Sequence, residues 1–107
     1  SLINSVFAAG KISGQEGDKF KKSGFTPVKS RNVLAPLIKE CVGHLECRVC
    51  QTVDVGDHTQ FIGDIVRASA EEKLFQDVWN LNKDGMLHHL GGEWFSVSKK
   101  KQKAEKR

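Results

Sequence analysis

Two cysteines, Cys47 and Cys50, form a C-x-x-C motif, a spacing used in thiol redox centres and in zinc sites. A thioredoxin-like centre places this motif at the start of a helix, whereas here it lies within a run of alternating apolar and polar residues typical of a strand. Positions three apart on a strand face opposite sides, so the two sulfur atoms should diverge. We therefore predict that Cys47 is buried, that Cys50 is exposed, and that neither binds a metal.

The chain also has four histidines: His44, His58, His88 and His89. Their spacing matches no metal site, and only one of the adjacent pair can face inward from a strand. His58 follows Gly56 and Asp57 at a predicted turn, where an exposed residue is the ordinary expectation. Because no nucleophile–base pair or dinucleotide-binding glycine motif can be assigned, no catalytic residue is predicted.

Lys19 is a candidate phosphate ligand. Asp18 can cap a short helix from Lys19 to Ser23 that Gly24 would end. Free backbone N–H groups and the helix dipole favour an anion at such a start, and the lysine adds a positive charge. The alternative is an ordinary surface lysine, since two more lysines follow it closely.

The element that positions the central residues is a predicted antiparallel hairpin. Residues Leu45 to Asp54 alternate between apolar and polar, a turn follows, and Thr59 to Ala68 is again rich in β-branched and aromatic residues. We predict that these two segments pair, with Cys47 and Val49 buried and with Arg48 and Cys50 facing solvent or a partner chain.

The other elements are short. A helix is predicted over residues 2–7 with Gly10 as its C-terminal cap, and a second over Ala70 to Asn80. The prolines after Thr26 and Ala35 favour extended or irregular backbone. Two short strands are predicted on either side of a Gly-Gly-Glu turn: Met86 to Leu90 and Trp94 to Val97. The pattern indicates a β-rich α+β domain.

The net charge of +4 over 107 residues comes from one end of the chain. Lys99 to Arg107 carries six basic side chains and one acidic, which leaves the rest of the chain at −1. We expect a disordered basic tail without specific nucleic-acid contacts, because no aromatic residue interrupts it.

No apolar run is long enough to span a membrane, and three cysteines without a visible secretory leader favour a reducing, cytoplasmic location.

Five motifs in a fixed order identify a resemblance: SGQEGDKF (Ser13–Phe20), APLIKEC (Ala35–Cys41), LECRV (Leu45–Val49), GDHTQFIGDIV (Gly56–Val66) and LHHLGGEWF (Leu87–Phe95). Each is weak alone, but their succession over about residues 2 to 98 resembles the flavin reductase-like family, and in particular its flavoredoxin-type branch.

The resemblance implies a six-stranded antiparallel split β-barrel with Greek-key connections that binds FMN without a covalent link. It implies a homodimer with the flavin near the subunit interface. The chain corresponds to the C-terminal part of that domain: residues 1–98 are a partial domain that lacks the N-terminal strands, and residues 99–107 are the tail.

The resemblance also assigns FMN-binding roles to Lys19, His58 and Trp94. It implies an FMN-dependent oxidoreductase or an electron-transfer flavoprotein, with a nicotinamide nucleotide or a redox protein as electron donor. Two alternatives stay open. The chain could be a non-catalytic flavin-binding fragment that serves assembly or dimerisation, or, more distantly, an RNA-associated protein with a basic tail.

Overall fold

The computed structural model describes residues 2–81 and 85–106. They divide into two compact units: residues 2–25 with 72–81 and 85–106, and residues 26–71. The secondary structure of these residues is β-rich, as the sequence predicted, and it contains two α-helices where three were predicted. The elements are α1 (Ile3–Lys11), a 3₁₀ turn (Gly14–Glu16), α2 (Lys19–Ser23), β1 (Pro27–Val28), β2 (Leu37–Ile38), β3 (Gly43–Val55), β4 (His58–Ala70), β5 (Met86–Gly91) and β6 (Trp94–Ser98).

The predicted short helix α2 is confirmed at both ends. Asp18 caps it by accepting a hydrogen bond from the Phe20 N–H at 2.9 Å, and Gly24 closes it by donating to the Phe20 carbonyl at 3.0 Å. The end predicted for α1 was wrong. The helix continues through Gly10 to Lys11, and the ammonium of Lys11 lies 4.8 Å from the ring centroid of Phe7.

The helix predicted over Ala70 to Asn80 is also wrong. β4 runs to Ala70, and the segment beyond it forms turns. Phe75 and Trp79 form an isolated bridge there, with ring centroids 4.9 Å apart. Residues four apart meet on a helix face, but a tight turn also brings them together, so the spacing could not separate the two structures.

The predicted strands around the Gly-Gly-Glu turn are confirmed as the antiparallel pair β5–β6.

The predicted central hairpin is confirmed in its pairing. β3 and β4 are antiparallel, Leu45 lies opposite Ala68, and Asp54 lies opposite Thr59. Two irregularities lie between these pairs: Cys50 is an additional residue in β3, and Val66 is one in β4. Because each strand carries one bulge, the shifts cancel and the ends stay in register.

The prediction of which face is buried was wrong. Leu45, Val49, Phe61 and Ile65 share one face of the hairpin, and each is 60–67% exposed. Cys47 lies among them and is also exposed. We call this set the apolar face. Glu46, on the opposite face, is only 2% exposed. Apolar and polar residues do alternate along the strand, but this pattern alone does not predict which face the rest of the chain covers.

No hydrophobic side chain within residues 2–81 and 85–106 is fully buried. The described strands form three separate two-stranded antiparallel sheets, β1–β2, β3–β4 and β5–β6, and do not close into a barrel. The antiparallel, strand-rich character is therefore confirmed, and the split-barrel topology stays a prediction.

Candidate functional site

A buried carboxylate organises the loop between β1 and β2. Oε1 of Glu46 accepts hydrogen bonds from the backbone N–H groups of Arg31 at 3.0 Å and Asn32 at 2.6 Å. The other oxygen, Oε2, lies 3.5 Å from Nε of Arg67 and has no hydrogen-bond partner in the described structure. Glu46 thus joins β3 to a loop 14 to 15 residues earlier in the sequence.

Further bonds fix the same loop. The hydroxyl of Ser30 donates to the Val33 carbonyl, and the guanidinium of Arg48 donates to the Asn32 carbonyl at 3.4 Å. An open cavity of about 620 Å³ lies between this loop and β3. Its lining residues are Lys29, Ser30, Arg31, Asn32, Val33, Leu34, Ala35, Cys47 and Arg48. The lining therefore contains three cationic side chains and no acidic one.

A second glutamate holds the base of the loop. β1 and β2 pair over two residues each, and the carboxylate of Glu40 accepts from the Thr26 N–H with oxygen distances of 2.5 and 3.2 Å. Desolvation raises the pKa of Glu40, but the hydrogen bonds from Thr26 and the charge of Lys39 more than offset it, so the pKa lies below its ordinary value. The neighbouring thiol of Cys41 has a raised pKa because it is partly desolvated and lies close to Glu40.

Lys19 is the first residue of α2, and it is exposed. Asp18, the predicted cap, occupies the Phe20 N–H, so one backbone donor at this helix start is already engaged. The capping carboxylate also places a negative charge there. With five residues, α2 has a weak dipole, so the attraction for an anion rests on the lysine charge.

His58 is the first residue of β4, directly after the two-residue turn Gly56–Asp57. Gly56 has φ 59°, which suits the first central position of a type II′ hairpin turn. The imidazole Nδ1 lies 2.6 Å from Oδ1 of Asp57, and the two side chains are 83% and 92% exposed. Asp57 therefore orients the ring and leaves Nε2 directed to solvent.

Trp94 is placed in the same way at the start of β6, after the turn Gly92–Glu93, and it is 76% exposed. The rings of His89 and Phe95 lie nearby in the sequence with centroids 4.8 Å apart. Both His88 and His89 are exposed, which agrees with the expectation that no more than one of them can face inward. His88 shares a 3.0 Å hydrogen bond with Ser98.

The predicted site residues are distributed over both compact units. Lys19 and Trp94 belong to one unit and His58 to the other, and their convergence on one side of the domain stays a prediction. The structural role of Glu46 was missed from the sequence, where it was one polar residue in an alternating strand. The hairpin register, which places Glu46 directly opposite Arg67, could have revealed this ion pair but not the bonds to the loop.

All three cysteines are free thiols, and Sγ of Cys50 lies 3.4 Å from the Ile62 carbonyl oxygen. Across the described ranges no three His, Cys, Asp or Glu side chains are grouped in a way that could hold a metal ion. Neither helix of the described structure has the length and apolar character needed to cross a membrane.

Comparison with known proteins identifies relatives over most of the chain. The family model described as a flavin reductase-like domain matches residues 5–91. The chain is 35% identical over 97 residues to an uncharacterised protein of Archaeoglobus fulgidus, and 34% identical over 105 residues to one of Pyrococcus abyssi. These alignments cover 91% and 97% of this chain but 55% and 60% of the relatives, so the chain spans little more than half of their length.

The fold also matches a solved structure, the flavoredoxin of Desulfovibrio vulgaris (Miyazaki F). The match has a TM-score of 0.67 at 26% sequence identity. It covers 87% of this chain and 51% of the flavoredoxin. The strand-rich antiparallel arrangement is therefore shared with that protein.

Proposed function

Because the chain belongs to the flavin reductase-like domain family, we propose that it is part of an FMN-binding flavoprotein of the oxidoreductase or electron-transfer type. The match over residues 5–91 is the observation that carries this proposal. Bound FMN would supply the electron-transfer chemistry, and the protein would bind and orient it. The electron donor would be a nicotinamide nucleotide or a redox protein, and the location cytoplasmic.

Three exposed side chains have chemistry that fits FMN. Lys19 would pair with the phosphate through its ammonium group. His58 would donate or accept a hydrogen bond through Nε2, since Asp57 already engages Nδ1 at 2.6 Å. Trp94 would pack its indole against the flavin, and its 76% exposure leaves the ring free for such a contact.

The uncovered apolar face supports a larger assembly. An isolated two-stranded hairpin is marginally stable, and exposed apolar surface of this kind marks a contact that the chain does not make by itself. We propose that strands preceding this segment complete a split barrel over residues 1–98, that the finished domain forms a homodimer, and that residues 99–107 are a tail outside it.

The same face favours a second candidate function, a flavin-binding piece without catalysis that serves assembly. The two candidate functions predict different rates for the reduction of bound FMN. Bound FMN in an oxidoreductase should be reduced by a nicotinamide nucleotide or a protein donor faster than free FMN, whereas an assembly module should show no such acceleration.

Titration of FMN, followed by quenching of flavin fluorescence, tests the binding proposal. It should be made with this chain and with a form extended by the N-terminal strands proposed above. We expect tight binding only by the extended form. Lys19→Ala and His58→Ala should each weaken it by about tenfold, the effect of losing one charge-assisted or well-placed hydrogen bond.

Two matched controls lie on the same elements. Lys21→Ala removes an exposed lysine from α2, and Gln60→Ala removes an exposed polar side chain from β4; neither should change the dissociation constant. Tight FMN binding by the short chain alone would contradict the incomplete site. Equal effects of Lys19→Ala and Lys21→Ala would remove the specific role of Lys19.

A further inference from the structure

The loop between β1 and β2 carries an uncompensated group of cations. Lys29, Arg31 and Arg48 all line the cavity between this loop and β3, and no acidic residue lines it. The carboxylate of Glu46, which binds the backbone of this loop, lies almost fully buried and is already paired with two backbone N–H groups and with Arg67. Three cationic residues therefore line the cavity, and its lining residues include no protein counterion.

The cavity is also held in shape before any ligand arrives. Glu46 fixes the tip of the loop through two backbone N–H groups, and Glu40 fixes its base at Thr26. Arg48 adds a bond from the opposite wall to the Asn32 carbonyl. A loop fixed at both ends loses little conformational entropy on binding, which is the main cost of building a site from an irregular segment.

The remaining lining is apolar. Val33, Leu34 and Ala35 continue the loop beyond the cations, and the side chain of Leu34 is fully exposed. The volume, about 620 Å³, falls within the range of small-molecule sites, about 300 to 1,000 Å³. A ligand that matches both parts would carry a compact dianion next to an apolar or aromatic body.

We propose that this cavity binds a phosphate monoester with an apolar or aromatic body, with the phosphate at Arg31, Lys29 and Arg48 and the body against Val33 and Leu34. Arginine suits this role because its planar guanidinium can donate two parallel hydrogen bonds to phosphate oxygens. None of Lys19, His58 and Trp94 lines the cavity, so the site is additional to the proposed flavin contacts and does not depend on them.

Isothermal titration calorimetry with three probes tests the proposal: adenosine monophosphate, adenosine and inorganic phosphate. The monophosphate should bind at least about tenfold more tightly than either of the others, because only it carries both the dianion and the aromatic body. Arg31→Ala should weaken its binding by about tenfold or more. This variant keeps the backbone N–H that Glu46 holds, so the loop should be retained.

Lys39→Ala is the matched control, since it removes a cation from the same unit but does not line the cavity. Its dissociation constant for the monophosphate should equal that of the unchanged protein. Equal binding of adenosine and the monophosphate, or equal effects of Arg31→Ala and Lys39→Ala, would overturn the proposal.

Competition with FMN separates this proposal from the flavin site. If FMN displaces the monophosphate one for one, and Arg31→Ala weakens both ligands equally, the cavity is part of the flavin site and the additional site is disproved. If the protein binds no FMN but still binds the monophosphate in an Arg31-dependent way, the flavin proposal fails and this one stands.

Discussion

Replacing Glu46 should be among the most damaging single changes in residues 26–71. Glu46→Ala removes an ionised acceptor from two backbone N–H groups, at 3.0 and 2.6 Å, and leaves Arg67 unpaired. Hydrogen bonds to a charged group contribute about 1.5 to 3 kcal/mol each. Because Arg31 and Asn32 are exposed, water can reach the freed N–H groups, and the lower value applies. We therefore expect a loss of about 3 kcal/mol in the free energy of unfolding.

Glu46→Gln gives an internal comparison. The amide keeps an acceptor oxygen for the loop but loses the charge, so the variant should lose only about 1 kcal/mol, the difference between charged and neutral hydrogen bonds. Asp64→Ala, an exposed acid on the neighbouring strand, should stay within about 0.5 kcal/mol of the unchanged protein.

Urea denaturation followed by far-ultraviolet circular dichroism measures these differences, and hydrogen exchange at the Arg31 and Asn32 amides locates them. Protection at both amides should fall in Glu46→Ala and persist in Glu46→Gln. If Glu46→Ala is no less stable than Asp64→Ala, or if the two Glu46 variants are equally unstable, the carboxylate does not hold the loop.

Two further predictions concern glycines and pH. Gly85→Ala should lower the free energy of unfolding by about 2 to 4 kcal/mol, because φ is 63° and an added Cβ would lie 2.6 Å from Cγ1 of Val97 and against the Ser98 carbonyl oxygen. Gly10→Ala, which adds its Cβ in open space on α1, should raise it by about 0.5 to 1 kcal/mol. Equal shifts in the melting temperatures of the two variants would contradict this. Glu40→Gln should lower the melting temperature at pH 7, and this difference should shrink as the pH falls below the ordinary glutamate pKa of about 4.3. The pKa of Glu40 is lower in the folded state than in the unfolded state, so its charge contributes stability above the unfolded pKa, and this stability is lost as the pH falls through the folded pKa. If the difference in melting temperature between Glu40→Gln and the unchanged protein persists at low pH, it comes from the geometry of the side chain and not from its charge.

The features of this fold that could be predicted from the sequence are those set by residues close together in the chain. The bounds of α2 follow from Asp18 and Gly24, two capping residues that act within one helical turn. The ends of the central hairpin follow from its turn. What failed depends on distant partners: nothing near Glu46 in the sequence reveals that a loop 15 residues earlier would enclose it.

The candidate site, like the fold, could be predicted from the sequence only in part. The motifs that carry Lys19, His58 and Trp94 pointed to the family, and the family is confirmed over residues 5–91. The cation-lined cavity was not predicted, because Arg31 and Arg48 are 17 positions apart and only the fold brings their loop and strand together.

The bulge at Cys50 decides which residue His58 meets across the hairpin turn. Side chains alternate between the two sides of a regular strand, so Val55, nine positions after Glu46, would lie on the opposite side from it. Cys50 is an additional, unpaired residue, and it brings Val55 back to the side of Glu46. His58 reaches that side along β4 alone, where no irregularity lies between Ile65 and His58. One residue in the middle of a strand thus lets Val55 and His58 pair across a two-residue turn.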